Sequence, residues 1–218
     1  MKTYWLKIIG ILTCLYGLFQ TCNSWMSFTY FTVLSNVLVL IVLTYFLWKK
    51  IKKETISKKW YLIRFFATVH ISLTFSAFLL LLAPTYPGGI IKAYMDFHMG
   101  SLCLHFIAPL CMIFDFLLND KDFKLEKKHV FYALIPVLLY LFYLLILAFL
   151  GVRWNGMMAP YNFINYGAPT GWFGFDLSLM SFETLGIGVS YMIIIICLLI
   201  LLVGFLFYHI HEKIVAEK

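Results

Sequence analysis

Six stretches of this chain are long and apolar enough to cross a lipid bilayer, and no other feature limits its fold so tightly. They lie at about 4–22, 27–48, 61–83, 98–118, 130–151 and 184–208, where about 20 residues suffice for the hydrocarbon core. Inside lipid each backbone amide must be paired within its own segment, so the spans are helices. Composition agrees, because 63% of the 218 residues are hydrophobic and only 12% are charged. A soluble domain of this length does not tolerate that balance. The expected fold class is all-α: a polytopic membrane protein, one six-helix transmembrane bundle forming a single domain over 1–218. The first span lacks a small-x-small cleavage pattern and runs into Gln20-Thr21-Cys22-Asn23. It therefore reads as a mature helix rather than a signal peptide.

The basic residues orient the bundle. With six spans, one side holds Lys2, Lys7, Lys49, Lys50, Lys52, Lys53, Lys58, Lys59, Arg64, Lys121, Lys124, Lys127, Lys128, Lys213 and Lys218. The other side holds only Lys92 and Arg153. Fifteen against two places both termini in the cytoplasm by the positive-inside rule. The net charge of +7 follows from short basic loops beside lipid headgroups, so nucleic acid is not expected as a partner. Richness in Lys, Ile, Phe and Tyr suits a bacterial plasma membrane. The five cysteines show no CxxC or Cys/His ligand spacing, so neither a disulfide framework nor a metal site is expected, and no cofactor is implied.

The connections are mostly short. Loop three, Ala83-Pro84-Thr85-Tyr86-Pro87-Gly88-Gly89, is rich in turn formers. Loop five is the exception: residues 152–182 carry Trp154, Tyr161, Phe163, Tyr166, Trp172, Phe173 and Phe175 on the outer side. Such a loop reads either as an aromatic belt at the membrane interface or as a lid over a pocket opening outward. No internal repeat is present, so an inverted-repeat transporter finds no support.

Polar residues inside the spans then narrow the function. Span four carries His98, Ser101 and His105, and an ionisable side chain at membrane depth points to function unless it is packed and bonded. Span two carries Thr32, Ser35 and Asn36. At 3.6 residues per turn, Thr32 and Asn36 fall about 40° apart on one face. His98 and His105 fall about 20° short of two full turns, with Ser101 one turn from His105. Thr32 and His105 each sit about five residues below the outer boundary, roughly 7–8 Å deep at 1.5 Å per residue. If spans two and four are neighbours, a hydroxyl and an imidazole meet at one level in the outer leaflet. That pair is what nucleophilic catalysis needs, since a hydroxyl attacks only when a base takes its proton. The structural readings stand beside it. A membrane-helix threonine commonly bonds its own backbone, Asn36 serves equally as a helix–helix hydrogen bond, and His105 as a packed histidine. His70 is structural or pocket-lining. Asp115 is expected to snorkel or pair near Lys121, and Glu183 to sit at the outer start of span six.

Three motifs carry a resemblance. Phe31-Thr32 on span two, Leu104-His105-Phe106-Ile107-Ala108-Pro109 on span four and Pro160-Tyr161-Asn162-Phe163 after span five resemble the androgen-induced-gene family. This group of small multi-span proteins includes the androgen-dependent tissue-factor-pathway-inhibitor regulator. Six-span bacterial relatives are the nearer match, through Phe28 to Asn36 and His105 to Phe116. The resemblance implies an intramembrane threonine hydrolase of fatty acid esters, with Thr32 and His105 as the catalytic positions. Around Thr32 the chain departs from the animal pattern, where Ser35-Asn36 replaces more apolar residues.

The expected activity is hydrolysis of a lipid ester. Thr32 attacks, His105 acts as base and then acid, Asn36 or Ser35 donates to the oxyanion, and His98 and Ser101 orient His105. The expected partners are a lipid substrate and the bilayer. An acyltransferase with the same residues is the alternative, and a transporter or ligand-binding membrane protein is another. The inner half of span two offers only Thr44 as a polar residue, and span five is almost purely apolar, which favours an outward-opening pocket over a through path.

Overall fold

The computed structural model describes residues 4–119, 123–179 and 186–216. Among these residues the chain is all-α, with seven helices apart from short 3-10 turns. They are α1 (Tyr4–Thr21), α2 (Phe31–Ile51), α3 (Lys58–Leu82), α4 (Gly89–Met95), α5 (Gly100–Asn119), α6 (Lys127–Phe149) and α7 (Val189–Ala216). Five of them, α2, α3, α5, α6 and α7, are long and apolar enough to cross a membrane. α1 coincides with the first expected span, but its 18 residues include Lys7 and Gln20, and it is not among the five.

The surface pattern is that of a protein made for lipid. Leu12, Phe19, Ile41, Leu139, Phe142 and Leu202 are exposed along the helices, whereas Lys7, Asn36, Arg64, Thr68, His70 and Asp115 are buried. Water would reverse that arrangement; a hydrocarbon solvent favours it.

The contacts fall into two compact units, Met1–Ala133 with Val203–Lys218, and Leu134–Leu202. In the first, α1, α2, α3 and α5 enclose an apolar core that includes Cys14, Val39, Leu43, Phe46, Ile71 and Met112. α3 is the most enclosed of these helices, buried without interruption from Ala67 to Thr74. Two of its hydroxyls bond their own backbone one turn back, Thr68 to the Arg64 carbonyl at 2.9 Å and Ser72 to that of Thr68 at 2.7 Å. Such back-bonding is how a hydroxyl is satisfied where water is absent.

The second unit holds the described part of loop five, residues 152–179, in place. Amides at the loop's end and the start of α7 bond back into it: Gly188 to the Gly174 carbonyl at 2.7 Å, Val189 to Gly171 at 3.1 Å and Ser190 to Trp172 at 3.0 Å. Met158, Ile164, Tyr166 and Trp172 line an apolar cavity with Leu141, Leu144 and Ile193. Tyr166 and Trp172 stack at 5.0 Å, while Phe173 and Phe175 stay exposed. The aromatic load thus divides between packing and an outward face.

Two helix starts differ from expectation for a local reason. Residues Trp25–Thr29 form a 3-10 turn, so α2 begins at Phe31 rather than near Ser27. Phe97, His98 and Met99 all have left-handed backbones, φ 50°, 51° and 67°, so α5 begins at Gly100.

Candidate functional site

One amide nitrogen organises the site. Asn36 Nδ2 donates to the carbonyl of Thr32 in its own helix at 2.9 Å, and to the carbonyl of Leu104 in α5 at 3.0 Å. Its Oδ1 accepts from the Cys14 thiol of α1 at 3.7 Å. Asn36 is fully buried and joins three helices. The Thr32 and Leu104 carbonyl oxygens can therefore be no farther apart than these two bonds laid end to end. Leu104 is bonded directly to His105, so α2 and α5 are neighbours where Thr32 and His105 stand. Gly17 allows the close approach of α1 at the same place, since a Cβ there would meet the Leu104 side chain at 2.6 Å.

A second contact sets the height of α3. The Ser35 and Thr74 hydroxyls lie 2.9 Å apart, and Ser35 Oγ is also 3.0 Å from the Thr32 carbonyl. One turn beyond that pair, α2 reaches Thr32 and α3 reaches Phe78. Thr32 is half-buried, and among the described residues its hydroxyl has no hydrogen-bond partner. It stands in the first turn of α2, not five residues deep as the span boundary implied, because the preceding 3-10 turn lies outside the helix. Amides in a first turn have no intrahelical acceptor, and that end of a helix favours developing negative charge.

His105 comes from a widened stretch of α5. Residues Cys103–Ile107 form a π turn, and a second π turn, Phe78–Leu82, ends α3. Single π turns inside α-helices recur at functional sites. The two meet directly, with the His105 ring stacked on Phe78 at 3.7 Å between centroids and 15° between planes. His105 Nδ1 is closed off from solvent and has no hydrogen-bond partner among the described residues. The ring is thus held by stacking, with that nitrogen uncommitted.

Loop three completes the surroundings. Its turn formers lead into α4, whose Ala93 packs with Phe78 and Ala83 and whose Tyr94 packs against them. Tyr94 meets Phe78 edge-on at 5.0 Å and Phe106 at 6.0 Å. Its hydroxyl, like His105 Nδ1, is buried without a partner among the described residues. Tyr94 and Phe78 are the members that sequence reasoning missed. Two aromatic residues beside a turn give no sign that their rings will enclose a histidine.

The remaining expected residues divide. Ser101 is buried one turn before His105. His98 is exposed and lies outside α5, so the helical phase that would align it with His105 does not apply; its carbonyl accepts from the Tyr16 hydroxyl at 2.7 Å. Asn36 has both amide protons on backbone carbonyls, which leaves none for an oxyanion. His70 is structural: its Nε2 is 2.8 Å from the Ala133 carbonyl, which only accepts, so that nitrogen carries the proton. Asp115 does not snorkel. It is fully buried and pairs with Lys7 and with Arg64, the latter at 2.6 Å, and it accepts from Asn119 at 2.7 Å. Glu183 and Lys121 lie outside the described residues. No cluster of three metal-ligating side chains occurs among the described residues.

No protein-family model, curated protein or solved structure matches the chain.

Proposed function

We propose that this chain is a six-span membrane protein with both termini cytoplasmic, α1 being the sixth span, that hydrolyses fatty-acyl esters of lipids in the outer leaflet of a plasma membrane. The Thr32 hydroxyl attacks the ester carbonyl carbon while His105 takes its proton on a ring nitrogen. The carbonyl electron pair moves to oxygen, and collapse of the tetrahedral species expels the alcohol, which recovers the proton from His105. Water then attacks the acyl-threonine with the same base and releases the fatty acid. The apolar spans give the acyl chain a solvent like its own, and the start of α2 favours the negative oxygen.

The observation that carries this reading is the shared donor. Asn36 holds the Thr32 carbonyl and the carbonyl of the residue before His105 on one nitrogen, and His105 Nδ1 is buried with nothing to bond. A histidine kept only for packing would be expected to spend that nitrogen on a neighbour, as His70 spends Nε2.

The test is labelling of the detergent-purified protein with a fluorophosphonate probe. Wild type is expected to label, and Thr32→Ala and His105→Ala to lose labelling while keeping the wild-type melting profile. Equal labelling in both variants overturns the assignment. Turnover only when an alcohol or amine acceptor is supplied would make the enzyme an acyltransferase with the same intermediate.

A further inference from the structure

An ester hydrolase needs a donor for the oxygen that becomes negative in the transition state, and the residues expected for that work are occupied. Asn36 spends both amide protons on the Thr32 and Leu104 carbonyls. Ser35 sits between the Thr74 hydroxyl and the Thr32 carbonyl. Tyr94 is different. Its hydroxyl is closed off from solvent, has no partner among the described residues, and belongs to the same aromatic cluster as His105. Phe78 is common to both rings, face to face with His105 at 3.7 Å and edge-on to Tyr94 at 5.0 Å. A buried donor without an acceptor costs free energy. Two unpartnered polar atoms in one apolar cluster are therefore an arrangement that a ligand carrying a polar group would relieve.

We infer that Tyr94 is the carbonyl-oxygen donor of this site, recognising the ester group of a fatty-acyl substrate through its phenolic O–H. The inference rests on the hydrolase reading above. As the Thr32 oxygen forms its bond to the carbonyl carbon, the displaced electron pair settles on the carbonyl oxygen. The Tyr94 O–H donates a hydrogen bond to that oxygen and keeps its proton throughout; the proton that moves is the one passing from Thr32 to His105. Such a donor acts mainly in the transition state, where the oxygen is charged, so its loss lowers kcat more than it raises KM. The remainder of the Tyr94 ring packs on Phe78, Ala83 and Phe106 and confines the acyl carbonyl to the His105 side of the cluster.

The decisive variant is Tyr94→Phe, which removes the hydroxyl and keeps the ring. Hydrolysis of 4-nitrophenyl octanoate in detergent is expected to fall by about 10²–10³-fold in kcat with KM nearly unchanged. The affinity for an octyl trifluoromethyl ketone, which forms a tetrahedral adduct, should fall in parallel. The melting temperature should hold or rise, because among the described residues the hydroxyl has no partner and its burial unpaired is a cost that the variant removes. Wild-type kcat and wild-type ketone affinity in Tyr94→Phe overturn the role of Tyr94 and leave the hydrolase reading intact. A wild-type protein that neither hydrolyses the ester nor labels with a fluorophosphonate overturns both. A parallel loss of kcat and melting temperature would make Tyr94 a packing residue and also overturn the inference.

Discussion

Ser35, Asn36 and Thr74 are small polar side chains buried where water is scarce, and each is satisfied by a neighbouring helix or its own backbone. Interhelical hydrogen bonds in membranes are individually modest, averaging about 0.6 kcal/mol with a maximum near 1.7. A double-mutant cycle on Ser35→Ala and Thr74→Val should therefore return a coupling of about 0.5–1.5 kcal/mol in detergent unfolding, with fluorophosphonate labelling retained in all three variants. A coupling of zero would mean that the hydroxyl pair does not tie α2 to α3. Sequence periodicity did place Thr32 and Asn36 on one face, since that requires only the helical repeat. What the Asn36 amide would bond was not readable, because the acceptor in α5 is a backbone carbonyl, and every residue has one. Tyr94 was equally hidden. Its aromatic body looks like any interfacial tyrosine, and only the packing of loop three shows that its hydroxyl is cut off.

At the scale of elements, the helices were legible and their irregularities were not. Long apolar runs mark the first five spans to within about four residues, although the last helix, expected at 184–208, runs Val189–Ala216; a phase of 100° per residue holds only while the helix is regular. It holds along α2 from Phe31 onward; it fails at the 3-10 turn before it, at the left-handed residues Phe97 to Met99, and at the π turn bearing His105. The segment between α4 and α5 has its own support. Asp96 accepts from the Tyr86 hydroxyl and from the Phe97 amide at 2.9 Å, and these bonds, that of Tyr86 first, hold its carboxyl below the ordinary value of 3.8. A depressed carboxylate stabilises the fold above its unfolded pKa, and the contribution disappears as the pH falls through the folded pKa. Tyr86→Phe should therefore move the Asp96 titration midpoint upward in carboxylate NMR. Protection of the Phe97 amide from hydrogen exchange should then be lost at a higher pH than in wild type. An unmoved midpoint would show that the tyrosine is not what holds Asp96 ionised.

Within the first compact unit, the side-chain hydrogen bonds and ion pairs that tie α1, α2, α3 and α5 to one another occur at two levels with an apolar core between them. Near one end of the helices Asn36 joins α1, α2 and α5, and Ser35 meets Thr74 of α3. Near the other end, roughly 16 Å along α5 at 1.5 Å per residue, Asp115 gathers Lys7 of α1 and Arg64 of α3, whose guanidinium also lies 4.5 Å over the Phe46 ring of α2. Lys7 and Arg64 are thus buried helix residues rather than loop charges. Charges removed from water are expensive and are kept only as a satisfied set, so deleting the shared anion should be far worse than deleting one cation. Asp115→Asn is expected to destabilise the protein by about 3–5 kcal/mol, read as a large drop in melting temperature in detergent. Lys7→Met combined with Asp115→Asn should recover part of that loss, since one of the two stranded cations is gone. If the single variant melts like wild type, the ionic level does not hold α1, α3 and α5 together. If the double variant melts below the single, Lys7 contributes by packing rather than by its pairing with Asp115.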